Sequence, residues 1–449
     1  MNRKIPDILA LYPCAHRFNA VAEDPDGGII VRLLGRETRL NAPAAAILGL
    51  CDGNRNLSQI ADALSGEFDL PITQMRQVVT DSVNSLSASS LVYLSTSWPP
   101  VTLFRHKPHT LLNSDIESQI RFRMGRFYHA TQAPDWQEGE MPPGSSLLRF
   151  EYGRVEYDGP DPAPHQGRLN GFLEKLRGLE IPKTRFNMLF AGGDGAKQHP
   201  TWPINGYFRV TGSDATILWP LGGYTELNSD NFGRWISRDD CTWENKIERA
   251  VWRGTTTGQS WCGLCDEEIE RNLERRYHAV DRVGGRTLPR GNRLTLVSRY
   301  LDADFADVGL SSTAETDEAA RAYFARRNFV KPRLPRTEML RYKYQIVADG
   351  NSFASQLPWT LHCASVVLMV PPSFESIMAD IQPWRHFVPL APDYSDLEEK
   401  VDWCRSHDAD CREISATATR LMREYYDPEK EQRVRQGLLE RYARNFPAA

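Results

Sequence analysis

The chain has 449 residues, a length that predicts two to four domains, each large enough for its own core. Its hydrophobic content of 41%, charged content of 25% and formal net charge of −4 indicate a globular protein. That charge does not favour nucleic acid or an anionic membrane as the main partner. No apolar run reaches roughly 18 residues, so no membrane span is predicted. Residues 1–7 lack the apolar core of a secretory signal, so we expect a cytoplasmic protein.

The first 95 residues are predicted to form a separate winged-helix domain of mixed α and β structure. Four short strands are predicted, at residues 18–22, 29–34, 37–40 and 91–94. Three helices lie between the third and the fourth, and Asn41 caps the first of them, with Pro43 in its first turn. Between residues 72 and 89 the third helix carries Arg76 as its only positive charge, which does not favour DNA binding.

A linker and an α/β domain are predicted next. Residues 96–108 form the linker, and residues 109–242 hold short mixed elements. One strand stands out, at residues 186–191, and it ends at Gly192-Gly193-Asp194. Ligands of open α/β sheets bind beyond the carboxyl ends of strands, which makes Asp194 a candidate functional residue. Its alternative interpretation is a turn residue, because Gly-Gly-Asp-Gly is also a turn sequence.

The eight cysteines are scattered along the chain, and a chain of this length does not depend on disulfides. Cys262 and Cys265 are the closest pair. A zinc site needs four ligands, and no second pair has matching spacing. We therefore expect no metal site and interpret these residues as ordinary thiols, with metal binding as the alternative.

A strand, a turn, a helix and a second strand are predicted over residues 342–370. The first strand, at 342–347, breaks at Asp349-Gly350-Asn351, a helix starts near Gln356, and the second strand covers 365–370. Such a junction leaves free backbone N–H groups at the strand end, where the natural occupant is an anion, often a phosphate. This βαβ unit predicts a nucleotide or nucleotide-sugar site, with an ordinary α/β turn as the alternative.

Helices are predicted to close the chain. Ser395 and Glu398 have the spacing of a capping box at the start of the first of them. Two more helices follow, and the last is expected to start at Asp427-Pro428, with proline in its first turn.

Several ordered motifs flank the βαβ unit. Trp243-Glu244-Asn245-Lys246 and Trp252-Arg253-Gly254-Thr255-Thr256-Thr257 precede it, and Pro383-Trp384-Arg385-His386-Phe387 follows it. Over residues 186–425 the chain resembles the family 90 glycosyltransferases, which include lipopolysaccharide-modifying enzymes, capsule xylosyltransferases and Rumi-type protein O-glucosyltransferases. The resemblance implies an α/β fold of the GT-B type with two Rossmann-like domains. The acceptor side would be 109–242 and the donor-binding domain 243–449.

The same resemblance implies an inverting transfer that needs no metal or cofactor and uses a UDP-sugar as co-substrate. Such a transfer needs a base for the acceptor proton and groups that hold the leaving diphosphate. Asp194 is the candidate base, with Asp214 and Glu226 in reserve. Arg253 is the candidate diphosphate clamp, with a structural ion pair as the alternative. The candidate donor-binding residues are Arg253, Gly254, Thr255, Thr256, Thr257, Asp302, Asp349, Gly350, Asn351, Ser355, Gln356 and Glu375.

One position departs from the family pattern. Members usually carry arginine where this chain has Gln356, and glutamine cannot neutralise a diphosphate. Three explanations stay open: Arg253 and the helix start suffice, the donor differs, or activity is lost.

Residues 40–53, with an Asn-x-x-Ala pattern followed by Cys51-Asp52-Gly53, resemble the PqqD-like peptide-recognition domains. The resemblance covers about 15–95 and implies that a leader peptide adds as a strand beside the third strand and packs on the third helix. The alternative is a module that only stabilises or dimerises the enzyme.

Together these features predict an enzyme that transfers a sugar from a UDP-sugar to a side chain of a ribosomally made peptide, recognised through its leader. The expected partners are therefore a nucleotide-sugar donor and a precursor peptide. One alternative is a lipopolysaccharide or capsule glycosyltransferase with a structural amino-terminal module. A second is a non-catalytic peptide-binding carrier.

Overall fold

The structure is a computed structural model. The described residues are 12–15, 20–23, 28–33, 36–51, 55–66, 68–88, 91–95, 115–130, 145–159, 163, 165–193, 202–210, 214–221, 241–274, 278–283, 286–352, 354–372, 374–378, 381–425 and 427–448. Two of the candidate bases, Asp194 and Glu226, lie outside these ranges. Among the helices within them, none combines the length and apolar character needed to cross a membrane.

The described residues of the amino-terminal unit form five strands and three helices. β1 (Tyr12–Ala15), which was not predicted, pairs antiparallel with β5 (Val92–Ser95). A separate antiparallel sheet has the order β2 (Ala20–Glu23), β3 (Ile29–Leu33) and β4 (Arg36–Leu40). The helices are α1 (Ala42–Leu50), α2 (Leu57–Ser65) and α3 (Ile72–Ala88). Their apolar faces form a core of their own, as expected of an independent domain.

Local capping explains where the first two helices start. Asn41 Oδ1 accepts a hydrogen bond from the Ala44 N–H at 3.0 Å, which confirms the predicted cap of α1. Asn56 and Gln59 exchange side-chain to backbone hydrogen bonds at 2.9 Å each and form a capping box for α2.

The middle of the chain forms a mixed sheet, called here the first sheet. Its strands are β6 (Ser145–Glu151), β7 (Arg154–Asp158), β8 (Phe186–Ala191), β9 (Ile204–Gly206) and β11 (Thr216–Leu218). The order is β11-β9-β8-β6-β7, with β8, β9 and β11 parallel to one another and β6 antiparallel to both its neighbours. Helices α4 (Ile116–Met124) and α5 (Gln166–Leu176) belong to this part, and a 3₁₀ helix, Gly125–His129, follows α4.

The carboxy-terminal part forms an all-parallel sheet, called here the second sheet. Its strands are β12 (Ile247–Thr255), β15 (Ala306–Ser312), β16 (Tyr342–Val347), β17 (Val366–Met369) and β19 (Val388–Pro389). Their order is β15-β12-β16-β17-β19. β17 reads as an apolar run because both faces of a parallel sheet are buried, and β16 is also buried but contains the polar residues Lys343 and Gln345. The strands predicted at 342–347 and 365–370 are confirmed.

Two short strand pairs and eight helices complete the part of the fold that the structure describes. The pairs are β10 (Arg209–Val210) with β18 (Phe374–Glu375), and β13 (His278–Val283) with β14 (Arg286–Arg290). The helices are α6 (Asp266–Glu274), α7 (Arg293–Tyr300), α8 (Glu318–Arg326), α9 (Arg336–Met339), α10 (Leu357–Leu361), α11 (Leu397–Ser406), α12 (Asp408–Tyr425) and α13 (Pro428–Asn445). A 3₁₀ helix, Trp243–Asn245, precedes β12.

The predicted capping box at residue 395 is wrong. Ser395 Oγ donates to Asp393 Oδ1 at 2.7 Å instead, and α11 starts after Asp396 without a side-chain cap. A serine that bonds two residues back forms a local turn and cannot cap the helix ahead. The start of α13 is as predicted, because Asp427 Oδ1 accepts the N–H groups of Glu429 and Lys430 at 3.1 Å.

Charged side chains are buried between α4, α5 and α13. Arg123, with 1% of its side chain exposed, donates two hydrogen bonds to the Glu431 carboxylate at 2.8 and 2.7 Å. Lys175 is also buried, and burial together with the nearby Arg435 guanidinium lowers the pKa of its ammonium to about 8. One carboxylate thus compensates a cluster of cations that joins the carboxy-terminal helix to the middle of the chain.

Candidate active site

The segments that leave the carboxyl ends of the two sheets pair with each other. β10 follows closely after β9 of the first sheet, and β18 follows closely after β17 of the second. The two short strands are antiparallel, with Arg209 opposite Glu375. The carboxyl edges of both sheets are therefore held beside one another. Ligands of open α/β sheets bind at the carboxyl edges of the strands, so we expect a ligand site at this junction.

Three loops converge at the carboxyl edge of the second sheet, after β12, β15 and β16. Asn351 connects them: its Oδ1 accepts the Gly258 N–H at 2.7 Å and its Nδ2 donates to Glu315 Oε1 at 2.5 Å. Thr256 is buried, and its hydroxyl exchanges hydrogen bonds with the backbone N–H and carbonyl of Ala314. The structure thus brings together the predicted residues Thr256 and Asn351 and gives both a loop-joining role.

Arg293, which the sequence analysis missed, lies at the centre of this edge. Its guanidinium donates to the Ala348 carbonyl at 2.8 Å, to the Thr255 carbonyl at 3.2 Å and to Thr257 Oγ1 at 2.7 Å. A methyl group at Gly350 would lie 2.9 Å from both Arg293 Nη2 and Thr257 Oγ1, so the Gly350 backbone lies close to both side chains. A cation therefore sits where the strands β12 and β16 end.

The local sequence did carry a signal for Arg293. Asn292 caps α7 by accepting the Leu294 N–H at 3.0 Å, so Arg293 falls in the first turn of the helix. A cation at that position opposes the helix dipole. A basic residue directly after a cap indicates that its charge is used for something other than helix stability.

The guanidinium of Arg253 is held in an ion pair within the second sheet. Its guanidinium pairs with the Asp307 carboxylate at 2.8 Å and donates to the Asp307 carbonyl at 2.9 Å, and 8% of the side chain is exposed. Lys331 and Tyr342 also bond Asp307, at 3.4 and 3.1 Å. The structure therefore shows Arg253 in the arrangement of the alternative interpretation, a structural ion pair, and its role as a diphosphate clamp stays a prediction. These bonds, together with burial that opposes them, leave the pKa of the Asp307 carboxyl below its ordinary value.

The turn after β16 is partly satisfied from within. Asp349 Oδ1 accepts the Ala354 N–H at 3.1 Å, and the Gly350 N–H donates to the Ser352 carbonyl at 3.1 Å. Gln356 Nε2 donates to the Ile346 carbonyl at 2.7 Å, while Ser355 is exposed. The following helix, α10, has only 5 residues. Because a carboxylate already occupies the turn, an anion bound here needs the Arg293 cation rather than the helix start alone.

Other candidates lie elsewhere. Asp302 is exposed and precedes β15, which places it at the amino edge of the second sheet, away from the converging loops. Asp214 likewise precedes β11 and lies at the amino edge of the first sheet. The backbone of Glu375 lies on β18, and its side chain is outside the described residues. Gly254 and Thr255 lie at the end of β12, where the buried Thr255 hydroxyl has no hydrogen-bond partner among the described residues.

Cys262 and Cys265 are exposed free thiols in the described part of the chain. Within that part, no three His, Cys, Asp or Glu side chains are grouped as metal ligands would be.

Comparison with known proteins finds two families, each matched over a separate part of the chain. Residues 235–447 match the model of glycosyl transferase family 90, and residues 24–92 match the model of coenzyme PQQ synthesis protein D (PqqD). Over residues 235–447 the chain is similar to glycosyl transferase family 90. The matched residues include Arg293 and all three converging loops, and the PqqD match covers β3, β4 and all three amino-terminal helices. Both resemblances seen in the motifs are therefore confirmed.

Relatives of the family 90 region include eukaryotic and bacterial proteins. The chain is 32% identical to protein O-glucosyltransferase 2 of Danio rerio, over 57% of this chain and 46% of the relative. It is 31% identical to protein O-glucosyltransferase 3 of Homo sapiens, over 21% of this chain and 18% of the relative. It is 27% identical to O-glucosyltransferase LpsA of Dichelobacter nodosus, over 31% of this chain and 42% of the relative. The chain spans less than half the length of the curated relatives it matches.

Proposed function

We propose that this protein is an inverting glycosyltransferase of the GT-B type that transfers a sugar from a UDP-sugar to a peptide side chain. The observation that carries the proposal is the β10–β18 pairing, which holds the carboxyl edges of both sheets together. One edge supplies Arg293 and the converging loops, and the other supplies the loop after β8 that leads to Asp194. A donor on the second sheet then faces an acceptor on the first.

The reaction follows from these groups. The acceptor hydroxyl oxygen attacks the anomeric carbon of the donor, and the bond from that carbon to the diphosphate oxygen breaks with its electron pair leaving on UDP. Asp194 takes the acceptor proton as general base. Arg293, supported by the Thr257 hydroxyl, compensates the charge that develops on the diphosphate. Gln356 is used within the turn, so the cation that this chain lacks at position 356 is supplied by Arg293.

Arg293→Ala is expected to weaken UDP binding by about 10- to 100-fold, since a charged hydrogen-bond donor to the diphosphate is worth roughly 1.5–3 kcal/mol. Isothermal titration with UDP measures the change. Arg271, exposed on α6, provides the matched control, and Arg271→Ala is expected to leave the affinity unchanged. Equal UDP affinity in the wild type and Arg293→Ala would remove Arg293 from the donor site.

The amino-terminal domain gives the proposed acceptor class. β4 is an edge strand of its sheet, and α3 belongs to the same small core. A leader peptide added along β4 would gain backbone hydrogen bonds and raise the concentration of its core segment near the site. We further propose that the module is of the winged-helix type and binds such a leader.

Hydrogen–deuterium exchange on the full chain tests this peptide proposal. Addition of a precursor peptide that the protein glycosylates is expected to slow amide exchange in residues 36–40, because the added strand pairs with that edge. Slowed exchange only around residues 192–193, with β4 unchanged, would show that the peptide binds without the amino-terminal domain.

A lipopolysaccharide or capsule sugar is the second candidate acceptor. It is favoured by the similarity to O-glucosyltransferase LpsA, whose match covers 31% of this chain. Transfer of the sugar to a saccharide acceptor, with no transfer to peptides, would show that the acceptor is a saccharide.

A further inference from the structure

A histidine lies directly over the strand end that leads to the proposed base. A methyl group at Gly193 would come within 3.0 Å of His165 Nε2, and one at Gly192 would come within 3.3 Å of His165 Cβ. Asp194 is the next residue in the chain. The imidazole and the carboxyl-end loop of β8 are thus immediate neighbours, and His165 is exposed to solvent.

The backbone of His165 is in an unusual conformation. Its φ is 56° and its ψ 41°, in the left-handed region, at the residue that precedes α5. Its side chain makes no capping hydrogen bond to the helix. A left-handed non-glycine residue is uncommon, and such conformations cluster at functional sites. Helix capping therefore does not explain why histidine stands here.

The neighbouring groups hold this arrangement in place. Arg168 Nη1 donates to the Gly192 carbonyl at 2.8 Å, and Tyr207 OH donates to the Arg168 carbonyl at 2.7 Å. The first turn of α5 is thereby tied to the end of β8. These bonds hold the start of α5, and with it the backbone of His165, close to the end of β8.

We infer that His165 is an acceptor-binding residue, whose imidazole hydrogen-bonds the residue that receives the sugar. The inference rests on the proposed function and assigns a substrate-binding side chain to the first sheet. An exposed imidazole beside Gly193, the residue that precedes the proposed base in the chain, can donate a hydrogen bond to a hydroxyl or accept one from it. It holds the acceptor and has no part in donor binding, which lies on the second sheet.

His165→Asn separates this role from folding. Asparagine tolerates the left-handed conformation better than most residues, so the variant is expected to unfold at the wild-type temperature or slightly above it. The assay measures UDP release from UDP-glucose with a synthetic peptide pool that has a fixed central serine. The variant is expected to raise the KM for the peptide pool by about tenfold through loss of one hydrogen bond. The KM for UDP-glucose is expected to stay within about twofold.

Asn170→Ala is the matched control, because Asn170 is exposed on the same helix and bonds Gln166. It is expected to leave both KM values unchanged. A peptide-pool KM unchanged in His165→Asn, or an equal rise in both KM values, would overturn the inference. No UDP release by the wild type would overturn the proposed function itself, and this outcome is distinct from the first two.

Discussion

Asp194→Asn is expected to lower the rate of sugar transfer by about 10²–10⁴-fold, the usual contribution of a general base. Asparagine has nearly the same shape as aspartate but cannot accept the acceptor proton. Donor binding is expected to be retained, because the groups that hold the diphosphate lie on the second sheet. Initial rates of UDP release and the affinity for UDP, measured on the same preparation, test both parts.

Asp214→Asn is the control for this experiment. Asp214 lies in the same part of the chain but precedes β11, at the edge of the first sheet opposite the site. Its replacement is expected to change the rate by less than about threefold, within the usual effect of a substitution away from the reacting groups. A large loss in Asp214→Asn together with full activity in Asp194→Asn would reverse the assignment of the base.

Glu431→Gln is expected to destabilise the protein by about 3–5 kcal/mol, because it leaves a buried guanidinium without its counter-charge. Arg123 is 1% exposed and bonds both oxygens of Glu431. The Lys175 ammonium and the Arg435 guanidinium are also close to this carboxylate. Urea unfolding at constant pH measures the difference in the free energy of unfolding.

Two further variants test whether the loss of stability comes from the buried charge. Glu413→Gln removes a carboxylate that pairs with Arg420 at 3.1 Å on the surface, and it is expected to cost less than about 1 kcal/mol. Adding Arg123→Met to Glu431→Gln is expected to recover part of the loss, because no uncompensated charge remains on Arg123. A cost below about 1 kcal/mol for Glu431→Gln would show that the cations do not depend on this carboxylate.

The sequence was informative where structure is local. Segments rich in apolar and aromatic residues predicted β8, β16 and β17, and Asn41 and Asp427 predicted helix starts, because neighbouring residues alone decide these features. Ordered motifs predicted the family. β1 was missed because a strand of 4 residues is stabilised by its distant partner β5, which its own residues do not reveal.

Site geometry was harder to predict because it depends on residues distant in the chain. Arg253 follows a strand as a clamp would, yet Asp307 on the neighbouring strand takes its charge. Arg293 is brought to the site by a helix start between two strands, and no fixed spacing connects it to Thr257 or Gly350. The closeness of His165 to Gly193 likewise joins residues of α5 and β8 that no local pattern connects.

Intact-mass spectrometry with the purified full chain tests most directly whether this protein transfers a sugar to a peptide. The reactions contain a panel of UDP-sugars and candidate precursor peptides encoded near its gene. We expect one peptide to gain the mass of a single hexose or pentose, and this gain to disappear with Asp194→Asn. Measurable peptide binding without a mass gain from any donor would contradict this expectation and would favour a non-catalytic peptide carrier.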